Sequence, residues 1–484
     1  MHSNHFHKMM AMPRANSNCE PADPDNTLTD RLNTLLNSSG SGYVLNLCPS
    51  TQYLIQAPIL FAASNQEIST LGYPTDDSRA VLVVNGPVSN GTGHTTAVVG
   101  SCANCDGVRL RNVQINGTRG GAPPISGGAN IEMGGPNSDQ LIEYVHSYDP
   151  RGWSCLHVAE GSLNCNNVTV QNNDIGPAGS DLFQQWADGI SVACQNSLIR
   201  NNMINNPTDG GIVLFGAPGT RVENNTIWVE TNTLLGGINM VDVSPFSGDY
   251  KGVVVTNNII AGGFASDPAT GSATKGTNNE DVVIKIGIAI GPRTWFGTEY
   301  LNNVSTGGTV LDNQLTGAFS YGIAISSATN FTVENNVLVG NTSFIGARGP
   351  NCTTGDPTPS PAAFVLDINT TSKSTTQSDF QDNTNGDSLT CVLPPAGGDY
   401  WPYGGNPGSS SPPVGPPEPS PSTSSHSSTG AIVGIVLGVI AGILFVALLA
   451  WYIRKWALKR TADRSHFRAT RQAPRGYIQS KEQF

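Results

Sequence analysis

Along the middle of the chain, apolar residues return in a fixed six-residue arrangement of apolar, any, Asn, Asn, any, apolar. It reads Val170–Ile175 (VQNNDI), Ile199–Ile204 (IRNNMI), Val222–Ile227 (VENNTI), Val255–Ile260 (VTNNII), Val310–Leu315 (VLDNQL) and Val333–Leu338 (VENNVL). Weaker copies are Leu110–Ile115 and Ile142–Ser147. Successive starts lie mostly 23 to 33 residues apart, with one double interval from Val255 to Val310. Between them falls a second pattern, Gly followed by alternating apolar residues: Gly189-Ile190-Ser191-Val192, Gly211-Ile212-Val213-Leu214, Gly237-Ile238-Asn239-Met240, Gly287-Ile288-Ala289-Ile290 and Gly322-Ile323-Ala324-Ile325. Cys155-Leu156-His157-Val158 and Asn130-Ile131-Glu132-Met133 are related copies. Each repeat thus predicts one coil carrying at least two short strands.

Strands this short cannot bury an apolar face alone. Stacked about 4.8 Å apart, however, coils pair every strand with its neighbours and align equivalent side chains, which predicts an all-β parallel β-helix, a solenoid. The Asn column has a reason in that geometry, because equivalent amides can hydrogen-bond from coil to coil and so satisfy groups that burial would leave costly. A leucine-rich repeat is excluded, since the Leu and Asn spacing does not match one.

Leu28, Leu32, Leu35 and Leu36 follow i, i+4, i+7, i+8 after Pro24 and before Gly40, predicting an amphipathic helix over residues 25–40 that caps the first coil and covers its strand edge. Residues 1–24 read as a disordered start. It has no apolar h-region, so the sequence is expected to lack the protein's true N-terminus. The solenoid is expected to fill 25–393, with first coils around Val44–Leu47, Ile59–Phe61 and Val81–Val84. From 394 to 430 the chain turns to Pro, Ser, Gly and Thr without periodicity, the composition of an extended stalk.

Residues 431–453 form an uncharged apolar run long enough to cross a membrane as a helix. The tail 454–484 holds nine basic residues against Asp463 and Glu482, or +7; with −11 for the whole chain, the remainder carries −18. Lys and Arg on that side predict a cytoplasmic tail, a single-pass plasma-membrane location and an extracellular N-terminal domain. The alternative is a cytosolic domain on a C-terminal tail anchor. Gly430, Gly434, Gly438 and Gly442 place small residues on one face of the run, where a homodimer contact is one expectation, although glycine is common in such spans. In the tail, Tyr477 and Ser480 are available for modification.

All nine cysteines precede the apolar run, as do ten N-x-S/T sequons (Asn37, Asn90, Asn116, Asn167, Asn224, Asn303, Asn330, Asn341, Asn351 and Asn369), a distribution that suits an oxidising compartment and a glycoprotein. Cys165 and Cys194 each stand five residues before the first apolar position of consecutive Asn repeats, so stacking brings them within bridging distance and predicts a disulfide. Cys352 with Cys391 is expected to pin the C-terminal end. Cys102 and Cys105 form either a small bridged loop or a redox pair.

The Asn-Asn and Gly-Ile repeats, the cap helix and the cysteine placement resemble the right-handed parallel β-helix proteins of the pectin-lyase-like superfamily. Blocks such as Thr208–Ile227 (TDGGIVLFGAPGTRVENNTI) and Leu235–Tyr250 look like its membrane-anchored fungal members. The resemblance covers roughly residues 25–391. It implies fold rather than activity, because that superfamily holds lyases, hydrolases, epimerases, adhesins and members without known chemistry.

By strand alternation the residue after each Gly-Ile pair points outward, giving the column Glu132, His157, Ser191, Val213, Asn239, Ala289, Ala324. Asp188 and Asp209 lie just upstream of their strands, Asp242 and Arg293 downstream, and Lys285 precedes Gly287. Glycoside hydrolysis needs two carboxyls, one protonated and one activating water or attacking carbon. The candidates are Asp188 and Asp209, with His157 and Lys285 as orienting or substrate-binding groups. Turn-capping before a Gly is the competing account of both aspartates. Glu132, Trp186, Asn239, Asp242, Arg293 and Trp295 are the candidate substrate-binding residues; Trp153, Phe215 and Phe296 lie near the same face and equally serve as loop covers.

Val283-Ile284-Lys285 resembles, faintly, the Arg-Ile-Lys motif of polygalacturonase-type hydrolases, whose Gly-His-Gly and paired-Asp motifs are absent. For a lyase, Lys285 or Arg293 would be the base. An acidic outer portion would then need calcium to hold a polyanion, and no clustered Asp motif resembles a calcium loop. No cofactor, metal site or nucleic-acid partner is expected, and His2, His5 and His7 are set aside as a metal tract. The expected function is a cell-surface protein that binds or modifies a wall or matrix polysaccharide, as a hydrolase or lyase. The alternative is a non-enzymatic structural, adhesion or sensor ectodomain.

Overall fold

Each Asn-Asn pair becomes a corner of a coil. The computed structural model describes residues 18–391 apart from 121, 123–124, 126, 181–185, 264–281, 299–301, 348–351 and 353–354. In every repeat the first member (Asn172, Asn201, Asn224, Asn257, Asp312 and Asn335) has φ between 54° and 59°. Asn and Asp tolerate this left-handed conformation better than other residues with a β-carbon. The chain turns there, and the second member swings inward. Asn173, Asn202, Asn225, Asn258, Asn313 and Asn336 are buried, and the Nδ2 of each of the first five donates to the Oδ1 of the next at 2.9 Å.

Strands ahead of the corner, such as Thr169–Gln171, Leu198–Arg200 and Arg221–Glu223, belong to an 11-stranded parallel sheet. Strands after it and the Gly-Ile strands form two further faces. These count as one 20-stranded sheet because Gln314–Ile325 runs from one face to the other, pairing with both Ile259–Ala261 and Ile284–Ile290. This is a parallel β-helix. Ile190, Ile212, Ile238, Ile288 and Ile323 lie in register on successive coils and are fully buried. Each contributes roughly 1.5–3 kcal/mol through burial.

The expected cap is the helix Asp25–Ser39, whose Leu28, Leu32 and Leu36 are fully buried. Asn33 locks it to the first coil, donating to Pro58 O at 3.0 Å and accepting from Leu60 N at 2.8 Å. Disulfides join Cys165 to Cys194, Cys352 to Cys391 and Cys102 to Cys105, and a fourth, absent from the sequence reading, joins Cys19 to Cys48. Cys155 is the one free cysteine and is buried. The sequon residues Asn167, Asn224 and Asn330 are exposed and Asn116 is half-buried.

The membrane expectation is corrected. Among the described residues no helix is long and apolar enough to cross a membrane. The longest, Asp25–Ser39, has 15 residues, about 22 Å against a hydrocarbon thickness of about 30 Å, and only part of its surface is apolar. A C-terminal transmembrane helix, a membrane partner, a plasma-membrane location and the membrane-anchored form of the resemblance are therefore withdrawn. Residues 1–17 and 392–484, with the assigned stalk, apolar run, glycine face and basic tail, lie outside the described residues, as do Asn351 and the three N-terminal histidines.

Candidate functional site

The outward column is in register: Glu132 pairs with His157, His157 with Ser191, Ser191 with Val213, Val213 with Asn239, Asn239 with Ala289 and Ala289 with Ala324. Three residues before it runs a second column, in which Ser154 pairs with Asp188, Gly210 with Gly236, and Gly236 with Ile286. Ile286 and Ala289 pack in one cluster apart from the main core, so both columns are on the outer side there.

Two glycines open the space at the centre. A β-carbon on Gly210 would stand 2.8 Å from Asn239 Nδ2 and 3.0 Å from Asp188 Oδ1; on Gly236 it would stand 2.0 Å from Asn239 Oδ1 and 2.6 Å from Trp295 Cζ3. Asp188, Asn239 and Trp295 therefore converge over a backbone without side chains. Asn239 Oδ1 is buried and accepts no hydrogen bond from the described residues. An acceptor in that state is expensive, and a ligand donor would satisfy it.

Asp188 is 5% exposed. Its Oδ1 accepts from Gly210 N–H at 2.8 Å, and its Oδ2 lies 2.9 Å from Ser191 Oγ, which is 2.9 Å from Ser154 Oγ. Burial first, and then the charges of Asp209 and Asp242, hold its carboxyl well above the ordinary carboxylate range, against the downward pull of the Ser191 and Gly210 hydrogen bonds. Asp209 is half-buried one coil on, its amide donating to Ala187 O at 3.1 Å and its carbonyl accepting from Gly236 N. Asp242 is also half-buried, and its carbonyl accepts from Tyr250 Oη–H at 3.1 Å.

Lys285 is fully buried between Ile284 and Ile286, level with Leu235 and two coils from Asp209. Burial drives its ammonium well below the ordinary range. At the other end of the column, Glu132 Oε2 meets His157 Nδ1 at 2.7 Å, and Trp153 stands edge-on to His157 with centroids 4.9 Å apart. Burial alone would lower His157, but the Glu132 charge and hydrogen bond, with Glu160, outweigh it and the net shift is upward.

Other candidates are placed elsewhere. Arg293 gives its guanidinium to Asp387, with Nε at 2.7 Å from Oδ1 and a second bond from Nη2 to Oδ2, so its charge clamps a short helix, Arg293–Phe296, to the segment around Asp387. Trp186 is half-buried and packs on Val283 and Ala318. Sequence reasoning missed Glu160, whose buried Oε2 has no hydrogen-bond partner among the described residues and whose carboxyl burial pushes up; its place three residues after His157 was the available signal. No group of three or more His, Cys, Asp or Glu among the described residues is arranged to hold a metal ion.

Residues 137–358 match the family model described as a right-handed beta helix region. No curated protein matches the chain. Among solved structures, DFA-IIIase from Arthrobacter chlorophenolicus A6 in complex with GF2 is 13% identical, with a TM-score of 0.41 over 76% of this chain and 93% of that one. Alginate lyase from Paenibacillus sp. str. FPU-7 is 14% identical, with a TM-score of 0.39 over 65% and 95%. The A-module of the Azotobacter vinelandii mannuronan C-5 epimerase AlgE6 is 13% identical, with a TM-score of 0.40 over 75% and 96%. At such values these likenesses assign no residue a role.

Proposed function

We infer that this β-helix is a polysaccharide-acting enzyme whose reaction is hydrolysis of a glycosidic bond on the Gly-Ile face. The observation that carries the reading is the meeting of Asp188, Asn239 and Trp295 over Gly210 and Gly236, with the charges of Asp209 and Asp242 close enough to act on Asp188. Hydrolysis calls for two carboxyls in opposite states. Asp188, held toward its neutral form, is the proton donor to the leaving oxygen. Asp209, on the more open coil, takes a proton from water or attacks the anomeric carbon. The amide of Asn239 and the face of Trp295 suit a sugar hydroxyl and ring.

A second reading, β-elimination on a uronate polymer, has one observation in its favour: burial biases Lys285 toward the neutral amine a base requires. The full chain incubated with neutral and uronate polysaccharides separates the two, since hydrolysis releases saturated reducing ends and elimination releases unsaturated ones. Asp209→Asn is expected to lower product release about 10²-fold or more. Undiminished release would remove the site assignment, and no release from any glycan would leave a non-enzymatic, binding role.

A further inference from the structure

Three hydrogen bonds run in series from Asp188 into the sheet: Asp188 Oδ2 to Ser191 Oγ at 2.9 Å, Ser191 Oγ to Ser154 Oγ at 2.9 Å, and Ser154 Oγ to Leu156 O at 3.0 Å. Ser154, Ser191 and Leu156 are fully buried, so solvent supplies no missing partner. Each bond needs one hydrogen between its heavy atoms, and the two hydroxyls hold two. A peptide carbonyl only accepts, which fixes the direction at the inner end. Ser154 donates to Leu156, Ser191 must then donate to Ser154, and the hydrogen remaining for the first bond is one carried by the carboxyl.

The other contacts do not change that count. Asp188 Oδ1 accepts from Gly210 N–H, and Leu156 N–H donates to Ser154 Oγ at 3.3 Å, occupying a lone pair and adding no hydroxyl hydrogen. We propose that Asp188 rests as a neutral acid with its proton on Oδ2, and that Ser191 and Ser154 are positioning residues that hold this proton and reverse together when it leaves. On ionisation Ser191 turns to donate to the carboxylate and Ser154 turns to donate to Ser191. Only the bond to Leu156 O is given up, so the acid can release and recover a proton without moving its heavy atoms.

The surrounding groups favour the same resting state. Asp209 and Asp242 lie on coils to one side, and their charges oppose a third carboxylate. On the other side stand Cys155, a buried thiol that burial keeps protonated, and His157, in register with Ser191 but with Nδ1 turned to Glu132. The assignment deepens the reading above by placing the acid's proton on Oδ2 and naming the serines that hold it, and rests on that reading for any use in catalysis. The resting proton itself is measurable without substrate.

The test is infrared difference spectroscopy on the full chain at neutral pH, with carboxyl-13C aspartate, comparing wild type with Asp188→Asn. The expected result is one label-sensitive C=O stretch of a neutral carboxyl that Asp188→Asn abolishes. Ser191→Ala should shift that band to higher frequency, and Ser154→Ala should shift it by less. Serines that merely fill space would leave it in place. If the Asn variant does not fold, titrating the labelled wild type upward and following loss of the band gives the same readout. Finding Asp188 only as a carboxylate at neutral pH, or a band indifferent to Ser191→Ala, overturns the proposal. A neutral Asp188 in a protein that cleaves no glycan upholds it and overturns only the functional reading.

Discussion

Glu132 Oε2 and His157 Nδ1, on adjacent coils, meet at 2.7 Å, while His157 Nε2 makes no hydrogen bond to the described residues. The ring is almost fully buried, yet its pKa is raised, because Glu132 and Glu160 outweigh the burial that would lower it. A histidine whose folded pKa is raised contributes stability that is fully present below the unfolded value of about 6.5 and is lost as pH rises through the folded value. Glu132→Gln should therefore cost about 2 kcal/mol near pH 6, with the gap to wild type narrowing as pH rises. Thermal unfolding of both proteins across pH checks this. A gap independent of pH would mean that the contact acts by packing alone.

Asp188 follows the same sign of pH dependence from a lower starting pH. Its folded pKa is raised by burial and by Asp209 and Asp242, so its favourable contribution is complete below the ordinary carboxylate range and disappears as pH climbs through the folded value. Asp188→Asn keeps an acceptor for Gly210 and a donor for Ser191 without a charge to bury. It should be more stable than wild type by at least about 1 kcal/mol on the alkaline side of that folded value. The two should converge in acid. Denaturant titrations at several pH values read the crossing directly, and a variant less stable at every pH would contradict the sign.

The two members of an Asn pair should respond differently to mutation. Asn225→Ala removes the amide that donates to Asn258 Oδ1 and to Ile199 O and that accepts from Asn202 N and Nδ2, stranding buried groups on the preceding coil while Asn258 Oδ1 keeps the Asn225 backbone N–H. The expected loss is about 2–4 kcal/mol. Asn224→Gly, at the exposed left-handed corner beside it, should change stability by less than about 1 kcal/mol, since glycine enters that conformation freely. Chemical denaturation of the pair checks the contrast.

Thiol counting tests the cysteine framework. Eight cysteines are bridged and Cys155 is buried, its thiol pKa driven upward chiefly by burial, so native protein should take up no alkylating reagent and denatured, unreduced protein one equivalent. Replacing Cys165 and Cys194 together should cost roughly 3.6 kcal/mol, the chain-entropy value for a loop of this size. Intact mass after alkylation and melting of the double variant provide both readings.

What the sequence revealed and what it hid divide along the same line as local and distant contacts. The corner Asn, the ladder Asn and the Gly-Ile strands each satisfy a need that recurs in every coil, so their residues recur at readable intervals. Cys165 and Cys194 occupy equivalent places in adjacent coils and could be paired on that basis. Arg293 carried no such marker: its partner Asp387 lies 94 residues away, and a free-looking cation is in fact a clamp. Cys19 bridges to Cys48 ahead of the periodic region, where no repeat fixes which positions meet. The catalytic candidates were visible as Asp before Gly, but the bonds from Asp188 through Ser191 to Ser154 depend on facing columns of two coils and on burial, neither of which a linear pattern contains.

Gly236 and Gly237 are neighbours that should fail in different ways when changed to Ala. At Gly237 a β-carbon would stand 2.5 Å from Gly287 O, a backbone atom of the next coil, so accommodation must push strands apart. That overpacking should cost about 1–3 kcal/mol and appear as a lower melting temperature. At Gly236 the atoms in the way are Asn239 Oδ1 and the edge of the Trp295 ring, which can swing aside and spare the backbone. Gly236→Ala should therefore stay closer to wild type in stability while displacing the amide and ring proposed to hold the sugar. Affinity electrophoresis against immobilised polysaccharide, run beside thermal melts, separates the two effects. If Gly236→Ala retains full glycan retention with Asn239 and Trp295 displaced, those two residues do not form the sugar-binding surface, and the site must lie along another part of the column.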